Sequence, residues 1–203
     1  MARPVSPSDA ELIDEFLGGQ ATAFDALVRR YETALLGFLA RMTGDGPLAE
    51  DLFQETFLRI MQALPDYRER GRFRSWLFSV ARNLALDALR RRRFEHGIFR
   101  HAPASPDGAE DGDDPVADGI AAEEDAPDAL AERAEWAGRL ERAIAQLSEE
   151  QREVLALRAG AGLTFREIAE ITGVSINTAL GRMRYATIAL RRKLAEYRAE
   201  DMT

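Results

Sequence analysis

The chain has 203 residues and no cysteine, and its 35 acidic and 27 basic residues give a formal net charge of −8. The length is that of one large domain or two small ones, and the lack of cysteine excludes disulfides and thiolate metal sites. No apolar run approaches the ~18 residues of a membrane span and no apolar core follows the N-terminus, so we expect a cytoplasmic protein without membrane insertion.

The first two helices are predicted from capping signals and from the spacing of apolar residues. Ser8 and Glu11 form a capping box for a short helix over residues 9–17. Thr22 is expected to cap a second, longer helix that ends near Met42. Its apolar residues recur at helical spacing, which predicts that one side packs in a core.

Two more helices are predicted to complete an N-terminal domain. Pro47 suits the first position of the third helix, which is expected to end before Pro65. A charged loop over residues 66–74 precedes a fourth helix over about 75–92. Four helices joined by short loops predict one small all-helical domain over residues 8–95.

Residues 96–127 have a different composition, in which Pro, Gly, Ala, Asp and Glu dominate. The acidic charge is concentrated here, since residues 104–135 hold 12 acidic residues and one Arg. The rest of the chain then has 35 − 12 = 23 acidic and 27 − 1 = 26 basic residues, a net charge of +3. We predict a flexible, self-repelling linker, and we interpret His96 and His101 beside it as exposed loop residues rather than ligands.

Helical patterning returns after the linker. It runs over residues 128–146, and Ser148 and Gln151 then form a second capping box. Gly160 and Gly162 are expected to end the helix that this box opens. No strand alternation is visible in the sequence, so both halves of the chain are predicted to be helical.

Two helices joined by a tight turn are predicted near the C-terminus. Thr164 and Glu167 form a third capping box. Gly173 supplies the left-handed residue that ends the helix, and Ser175 caps a longer one. This pattern is typical of a helix-turn-helix, whose second helix lies in the DNA major groove, although an ordinary helical hairpin has the same signals. The predicted fold class is all-α, with a second helical domain over residues 128–197 joined to the first by the acidic linker.

Three stretches of the chain carry a more specific pattern. They are AFDALVRRY at 23–31, LAEDLFQETFLRIMQAL at 48–64 with FRSWLFSVARNLALDALRR at 73–91, and LSEEQREVLALR with GLTFREIAEITGVSINTALGRMRYA from Leu147. In order and spacing they resemble the sigma-70 family of bacterial RNA polymerase initiation factors, specifically its extracytoplasmic-function (ECF, group 4) branch. The resemblance implies a region 2 domain, a linker and a region 4 domain, with no cofactor. It also implies three partners: core RNA polymerase, promoter DNA and, as in many members, an anti-sigma factor.

The third predicted helix carries a candidate docking face. Asp51, Gln54 and Glu55 stand at i, i+3 and i+4, which places them on one side. Leu52, Phe53, Phe57 and Ile60 can pack inward or sideways. The resemblance implies that the polar face docks on the coiled-coil helices of the largest polymerase subunit. An acidic and amide face suits an Arg-rich partner; the alternative is a solvated polar face.

Basic and aromatic residues are interleaved in the charged loop and the fourth helix, a composition typical of single-strand binding. The resemblance implies that this region reads the −10 promoter element, with a base flipped into a pocket. Asn83 is expected at base edges and the arginines at phosphates, whereas core packing is an equal alternative for Trp76. The candidate residues are Arg72, Arg74, Trp76, Arg82, Asn83 and Arg90.

The second helix of the helix-turn-helix is implied to read the −35 element, through base edges or the DNA backbone. The candidate residues are Ser175, Asn177, Thr178, Gly181, Arg182 and Arg184. The run Ala179-Leu180-Gly181 departs from the Val, Lys and Ser that are common in the family at these positions. Fewer cations predict fewer phosphate contacts and a smaller salt slope, and Gly181 permits a close backbone approach at a cost of about 1 kcal/mol to the helix.

Other functions were weighed against this one. A stand-alone helix-turn-helix regulator of duplex operators is the main alternative, but it has no need of LAEDLFQETFLR at 48–59. No enzyme is expected, because the sequence shows no metal-like carboxylate spacing, no nucleophile with a base and no phosphate-cradling Gly loop. For the linker, imitation of RNA charge in the polymerase channel, implied by the resemblance, and a plain solubilising spacer both stay open.

Overall fold

The computed structural model describes residues 6–68, 71–95 and 127–200. The regular structure of these residues is all helical and forms two domains, which confirms the predicted fold class. Most of the predicted linker lies outside the described residues, as do His96 and His101. The helices are α1 Asp9–Leu17, α2 Ala21–Thr43, α3 Gly46–Ala63, α4 Phe73–Glu95, α5 Pro127–Ala145, α6 Glu149–Leu155, α7 Phe165–Thr172 and α8 Ile176–Glu200. A 3₁₀ turn, Leu64–Asp66, follows α3, and a π-helical turn, Ala156–Gly160, follows α6.

The three predicted capping boxes are present. In each, the N-cap hydroxyl accepts a hydrogen bond from the third backbone N–H, and the third side chain accepts one from the N-cap backbone. Each box satisfies two backbone donors that the helix start would otherwise leave unpaired. The boxes open α1, α6 and α7 with the pairs Ser8–Glu11, Ser148–Gln151 and Thr164–Glu167.

The prediction that Thr22 caps α2 is wrong. The helix begins at Ala21 after Gln20, whose backbone is extended and whose side chain makes no capping hydrogen bond. The reason is the turn before it: Gly19 has φ 99°, which reverses the chain immediately after α1 and allows helical geometry to start early. Thr22 therefore lies inside the first turn of α2.

The starts of α3 and α4 also differ from the sequence-based boundaries. The side chain of Asp45 accepts the N–H of Leu48, so α3 begins at Gly46 and Pro47 takes its second position rather than its first. α4 begins at Phe73, two residues earlier than predicted, because the Phe73 ring is buried in the core and fixes the chain there. Shifts of one or two residues are usual for helix ends.

The core of the first domain is built around α2. Leu27, Leu35 and Phe38 on α2 are fully buried, and Phe38 meets Phe78 of α4 edge to face with ring centroids 5.5 Å apart. The same cluster of buried residues continues into the second domain, where it includes Leu157. The π-helical turn and α6 pack on α2, and α7 packs on α4, so the two domains share one apolar core.

Candidate polymerase and nucleic-acid interfaces

The predicted docking face of α3 is exposed. Asp51 and Gln54 are exposed, while Glu55 is half-buried and accepts a hydrogen bond from Arg59 at 2.7 Å. On the other side of the helix, Leu52, Phe57 and Ile60 are buried, whereas Phe53 is half-buried. The exposed carboxylate of Asp51 therefore remains available on this face, whereas the charge of Glu55 is partly offset by its neighbour.

Two apolar side chains belong to the same face and were missed by the sequence analysis. Leu58 is 49% exposed and Met61 is 37% exposed. Leu58 stands seven residues after Asp51, which places it on the same side of the helix. The spacing of Leu58 from Asp51 in the sequence could therefore have predicted its place on this face. Leu58 and Met61 thus add apolar area to the polar face of α3.

Aromatic rings gather where the charged loop meets α4. Trp76 stacks on Tyr67 with ring centroids 4.5 Å apart and planes at 12°, and it meets Phe73 edge to face at 6.0 Å. Trp76 and Tyr67 are half-buried, and Phe73 is buried. Trp76 thus packs against the core, as its alternative interpretation holds, while part of it still faces outward. Tyr67 was not among the candidate residues.

The candidate −10 arginines do not share one environment. Arg74 is exposed and its guanidinium lies 6.0 Å from the ring centre of Tyr31. Arg90 is exposed and pairs with Asp87 at 3.2 Å. Asn83 is exposed and stands seven residues before Arg90, on the same side of α4. Asn83 and Arg90 thus leave an amide and a basic group on one side of α4, whereas Arg74, nine residues before Asn83, lies on the opposite side.

The remaining two −10 arginines contact the second domain. Arg82 donates to Glu153 of α6 at 2.6 Å, and Arg72 lies 3.5 Å from Glu170 of α7. Nothing in the sequence signalled these pairs, since Arg82 and Glu153 are 71 positions apart. The structure therefore places acidic groups where DNA phosphates were expected.

Ser75 adds a further contact between α4 and α7. Its hydroxyl donates to Glu167 at 2.6 Å, so this carboxylate serves both the capping box and the domain contact. Burial alone would raise the pKa of Glu167, but hydrogen bonds from Ser75 and Thr164 hold it below its usual value. The side chain is therefore ionised at neutral pH.

The helix-turn-helix forms as predicted. Gly173 has φ 72° and ends α7 in the left-handed conformation, and Ser175 precedes α8. The Ser175 hydroxyl accepts the N–H of Thr178 at 3.0 Å and lies 2.8 Å from the Thr178 hydroxyl. Both hydroxyls thus take part in the helix cap, which holds the start of α8 in place.

One face of α8 is directed away from the rest of the domain. Asn177, Gly181, Arg184 and Ile188 stand at i, i+4, i+7 and i+11, which is one side of a helix. Asn177 and Arg184 are exposed, and Ile188 is 51% exposed. Arg182 points elsewhere: it is half-buried and lines a cavity of about 230 Å³ between the domains.

The three residues of the unusual run Ala179-Leu180-Gly181 lie in different environments. Ala179 is fully buried against the domain core, so its small size is a packing property. Leu180 is 44% exposed and, with Ile176 and Tyr185, adds apolar area beside the outer face. Gly181 has open space around it, because a Cβ built there meets nothing within 4 Å.

Metal sites and membrane spans are both absent from residues 6–68, 71–95 and 127–200. No group of three or more His, Asp and Glu side chains there could hold a metal ion. No helix among them is long and apolar enough to cross a membrane.

Comparison with known proteins identifies the family. The chain matches the models of Sigma-70 region 2 over residues 27–95 and of Sigma-70 region 4 over residues 137–189. It is 33% identical over 189 residues to the RNA polymerase sigma factor CarQ of Myxococcus xanthus, covering 93% of this chain and 98% of that one. It is 34% identical over 185 residues to the ECF RNA polymerase sigma factor SigL of Mycobacterium tuberculosis, covering 89% and 96%.

A solved structure agrees with these relatives. The structure of CnrH in complex with the cytosolic domain of CnrY is similar with a TM-score of 0.62 and 25% identity, covering 94% of this chain and 99% of that one. Two matched regions, two relatives matched over most of their length and the shared helical architecture all agree. The chain belongs to the extracytoplasmic-function branch of the sigma-70 family and is an RNA polymerase sigma factor, which binds core polymerase and directs promoter-specific initiation.

Proposed function

We propose that α3 is the element through which this sigma factor binds core polymerase. The observation that supports this most strongly is the exposed face on which Asp51 and Gln54 surround Leu58. An apolar centre with a polar rim is the arrangement of a protein-binding hot spot. A stand-alone operator-binding protein has no use for such a face, which argues against that alternative.

We assign recognition of the −10 element to the outer surface of α4 and the loop before it. Asn83 and Arg90 are exposed and supply amide and cationic groups to a separated strand. Trp76, held by stacking on Tyr67, offers a ring edge at which an unstacked base can rest, and such stacking contributes about 1–3 kcal/mol per base. Arg72, Arg74 and Arg82 are assigned to phosphates.

The −35 element is assigned to the outer face of α8. Asn177 and Arg184 are the side chains positioned for base edges, with Gly181 between them allowing the helix backbone to approach. Ser175 and Thr178 already form the cap, so we assign them to positioning the helix start, where backbone N–H groups attract a phosphate. Arg182 reaches DNA only after the domains separate.

We assign no catalytic step to this chain, since the polymerase supplies the chemistry of transcription. We place it in the cytoplasm, where its polymerase works. The solved relative CnrH is bound to the cytosolic domain of CnrY, and we propose that a protein partner of that kind, an anti-sigma factor, holds this chain inactive. We assign core binding and −10 recognition to residues 8–95 and −35 recognition to residues 128–197, with residues 96–127 as the linker between them.

The docking assignment is tested by reversing one charge on α3. Asp51→Arg should abolish co-purification with core polymerase, because a cation replaces the exposed carboxylate that faces an Arg-rich partner. Glu32→Arg is the matched control: it makes the same charge change at an exposed residue of α2, outside α3, and should leave binding intact.

Two outcomes would contradict this assignment. One is undiminished co-purification of a folded Asp51→Arg protein. The other is equal loss of binding in both variants, which would indicate a general charge effect. A gel shift of duplex promoter DNA by the isolated protein, with no interaction with core polymerase, would favour the stand-alone regulator instead.

A further inference from the structure

Four residues near the start of α8 share one side of the helix. Asn177, Leu180, Gly181 and Arg184 stand at i, i+3, i+4 and i+7, which is the spacing of a single helix face. Three of them are candidate −35 residues, whereas Leu180 is not. Leu180 follows Asn177 by one turn and precedes Arg184 by one turn, so it lies in the middle of this face.

Leu180 is an aliphatic side chain that the domain core does not use. It is 44% exposed, whereas its neighbour Ala179 is fully buried and supplies the packing contact of this turn. The apolar core cluster contains Ala179 and Met183, and Leu180 is not part of it. The apolar surface of Leu180 therefore faces outward, and a smaller side chain at this position is compatible with folding.

The neighbours of Leu180 distinguish it from an ordinary exposed leucine. Single apolar side chains are common on protein surfaces and need no function. Gly181, however, carries no side chain next to it, and a Cβ there would meet nothing within 4 Å beyond its chain neighbours and its own helix. The helix backbone can therefore approach a DNA groove closely at this point, which places the Leu180 side chain at the depth of the base edges.

Leu180 also lies in the part of α8 that is suited to base contacts. In a helix-turn-helix, the N-terminal residues of the second helix contact base edges in the major groove. α8 begins at Ile176, so Leu180 stands about 6 Å along it. Ile176 is exposed as well, but it lies roughly 90° around the helix from the middle of the face. Tyr185 and Ile188 are exposed further along the helix, at about 14 and 18 Å from its start.

An aliphatic side chain in the major groove has one suitable partner among the base edges. The bases present hydrogen-bond donors and acceptors there, and thymine alone adds an apolar group, its C5 methyl. Leu180 can neither donate nor accept a hydrogen bond, so it would leave a polar base edge unpaired after displacing water from it. Contact with a thymine methyl instead removes apolar surface of both groups from water.

We propose that Leu180 is a specificity-determining residue, which selects a thymine in the −35 element through contact with the C5-methyl group of the base. This inference rests on the proposed −35 role of α8 and adds the base feature that one of its side chains recognises. It also explains the departure from the family pattern at this position, where Lys is common. An aliphatic group takes the place of a cation, so recognition of a base replaces attraction to phosphate.

The place of Leu180 in α8 predicts where the thymine lies. Leu180 and Arg184 are four residues apart, about 6 Å along the helix. This distance corresponds to roughly two base pairs at about 3.4 Å per step. The selected thymine should therefore lie within about two base pairs of the position whose sequence preference Arg184→Ala changes.

Selection from a duplex library identifies the position. The library carries a randomised −35 segment upstream of a promoter that depends on this chain, and it is bound by the holoenzyme of core polymerase with the full-length protein. Wild type should select an A·T pair at one position that the Leu180→Ala variant leaves random. Leu140→Ala is the matched control, because Leu140 is a leucine of similar exposure, 40%, on α5. Selection that Leu180→Ala leaves unchanged would overturn the proposal.

Removal of the methyl group alone gives the decisive measurement. Deoxyuridine in place of the selected thymine keeps the base pair and lacks only the C5 methyl. The wild-type holoenzyme should bind the uracil duplex about fourfold more weakly, the ratio expected when one methyl-sized group loses its apolar contact. Leu180→Ala should bind both duplexes equally, and Leu180→Met, which keeps an apolar side chain of similar length, should retain the difference.

Cytosine provides the reverse test, in which a methyl group is added. With a G·C pair at the selected position, 5-methylcytosine should be bound about fourfold more tightly than cytosine by wild type and equally by Leu180→Ala. Equal affinity of wild type for the thymine and uracil duplexes would overturn the proposal, as would a methyl effect of the same size in Leu180→Ala.

The outcomes also separate this inference from the proposed function. Holoenzyme binding that is independent of the sequence of the randomised segment would reject the −35 role of α8 itself. A −35 preference that Arg184→Ala alters and methyl removal does not would reject the assignment of Leu180 alone. Far-ultraviolet circular dichroism and binding of core polymerase check that each variant is folded, and the comparison of thymine with uracil in wild type needs no variant.

Discussion

Gly181 lies on the outer face of α8, where a Cβ would meet nothing within 4 Å beyond its chain neighbours and the backbone of its own helix. Gly181→Ala should therefore raise the free energy of unfolding by about 0.5–1 kcal/mol, since alanine restricts the unfolded chain and suits a helix interior. Urea denaturation measures this gain. If the proposed close approach to DNA is correct, the same substitution weakens −35 duplex binding, and stabilisation with unchanged binding would contradict that role.

Tyr31 gives a prediction about alkaline pH. Burial, followed by the hydrogen bond and the charge of Asp9, raises the pKa of Tyr31 from 10.0 to about 12, although Arg74 acts in the opposite direction. A pKa that is higher in the folded state means that folding favours the neutral phenol. The resulting stability is fully present below pH 10.0 and is lost as the pH rises toward about 12.

Tyr31→Phe tests this linkage. The variant lacks the ionisable group, so its unfolding free energy should fall less steeply than that of wild type between pH 10.0 and about 12. In an alkaline titration followed by tyrosinate absorbance, the variant should also show one fewer tyrosine that ionises at high pH. Identical pH profiles for the two proteins would show that Tyr31 ionises equally in the folded and unfolded chains.

At the scale of single elements, the exposed Leu58 on α3 leads to a prediction about the affinity for core polymerase. Leu58→Ser removes the apolar centre of the docking face and should weaken binding of core polymerase by roughly tenfold or more, the usual effect of losing about 1–2 kcal/mol at a hot spot. Leu17→Ser is a matched control, because Leu17 is 46% exposed at the end of α1. Equal affinity of the two variants for core polymerase would exclude Leu58 from the interface.

Local signals made most of these elements predictable. The Thr164–Glu167 box and Gly173 act within a few residues of each other, so the ends of α7 could be derived from the sequence. The start of α2 could not, because the Gly19 turn overrides the capping preference of Thr22. The inward direction of Ala179 followed only once packing was known: its neighbours gave no sign that this departure from the family pattern is a core residue.

At the scale of the whole molecule, the arrangement of the two domains could not be predicted from the sequence. Periodicity and caps report contacts within about four residues along a helix, whereas Arg82 meets Glu153 71 positions away. Composition suggested that the arginines of α4 and of the loop before it bind DNA. The structure shows that two of them, Arg72 and Arg82, already face carboxylates of the other domain.

The ion pairs between the two domains, Arg72–Glu170 and Arg82–Glu153, give the domain arrangement a dependence on salt. Arg72 and Glu170 are about half exposed, at 59% and 49%, so their pairing is screened at high ionic strength. Arg82 and Glu153 are screened much less because they are buried. The chain has no cysteine, so an Arg93→Cys, Glu149→Cys protein, in which cysteines replace an ion pair between α4 and α6, can be linked within one chain by a short bis-maleimide. The yield of this link should fall only partly as salt rises, and complete loss would show that exposed charges alone hold the domains together.

The most direct test of the account is run-off transcription of genomic DNA with core polymerase and this chain, followed by sequencing of the transcript 5′ ends. We predict starts that depend on the chain and share two upstream elements. Arg184→Ala should change sequence preference in the −35 element alone, and Asn83→Ala in the −10 element alone. Transcripts without shared elements, or preferences that both variants leave unchanged, would contradict the division of promoter reading between α4 and α8.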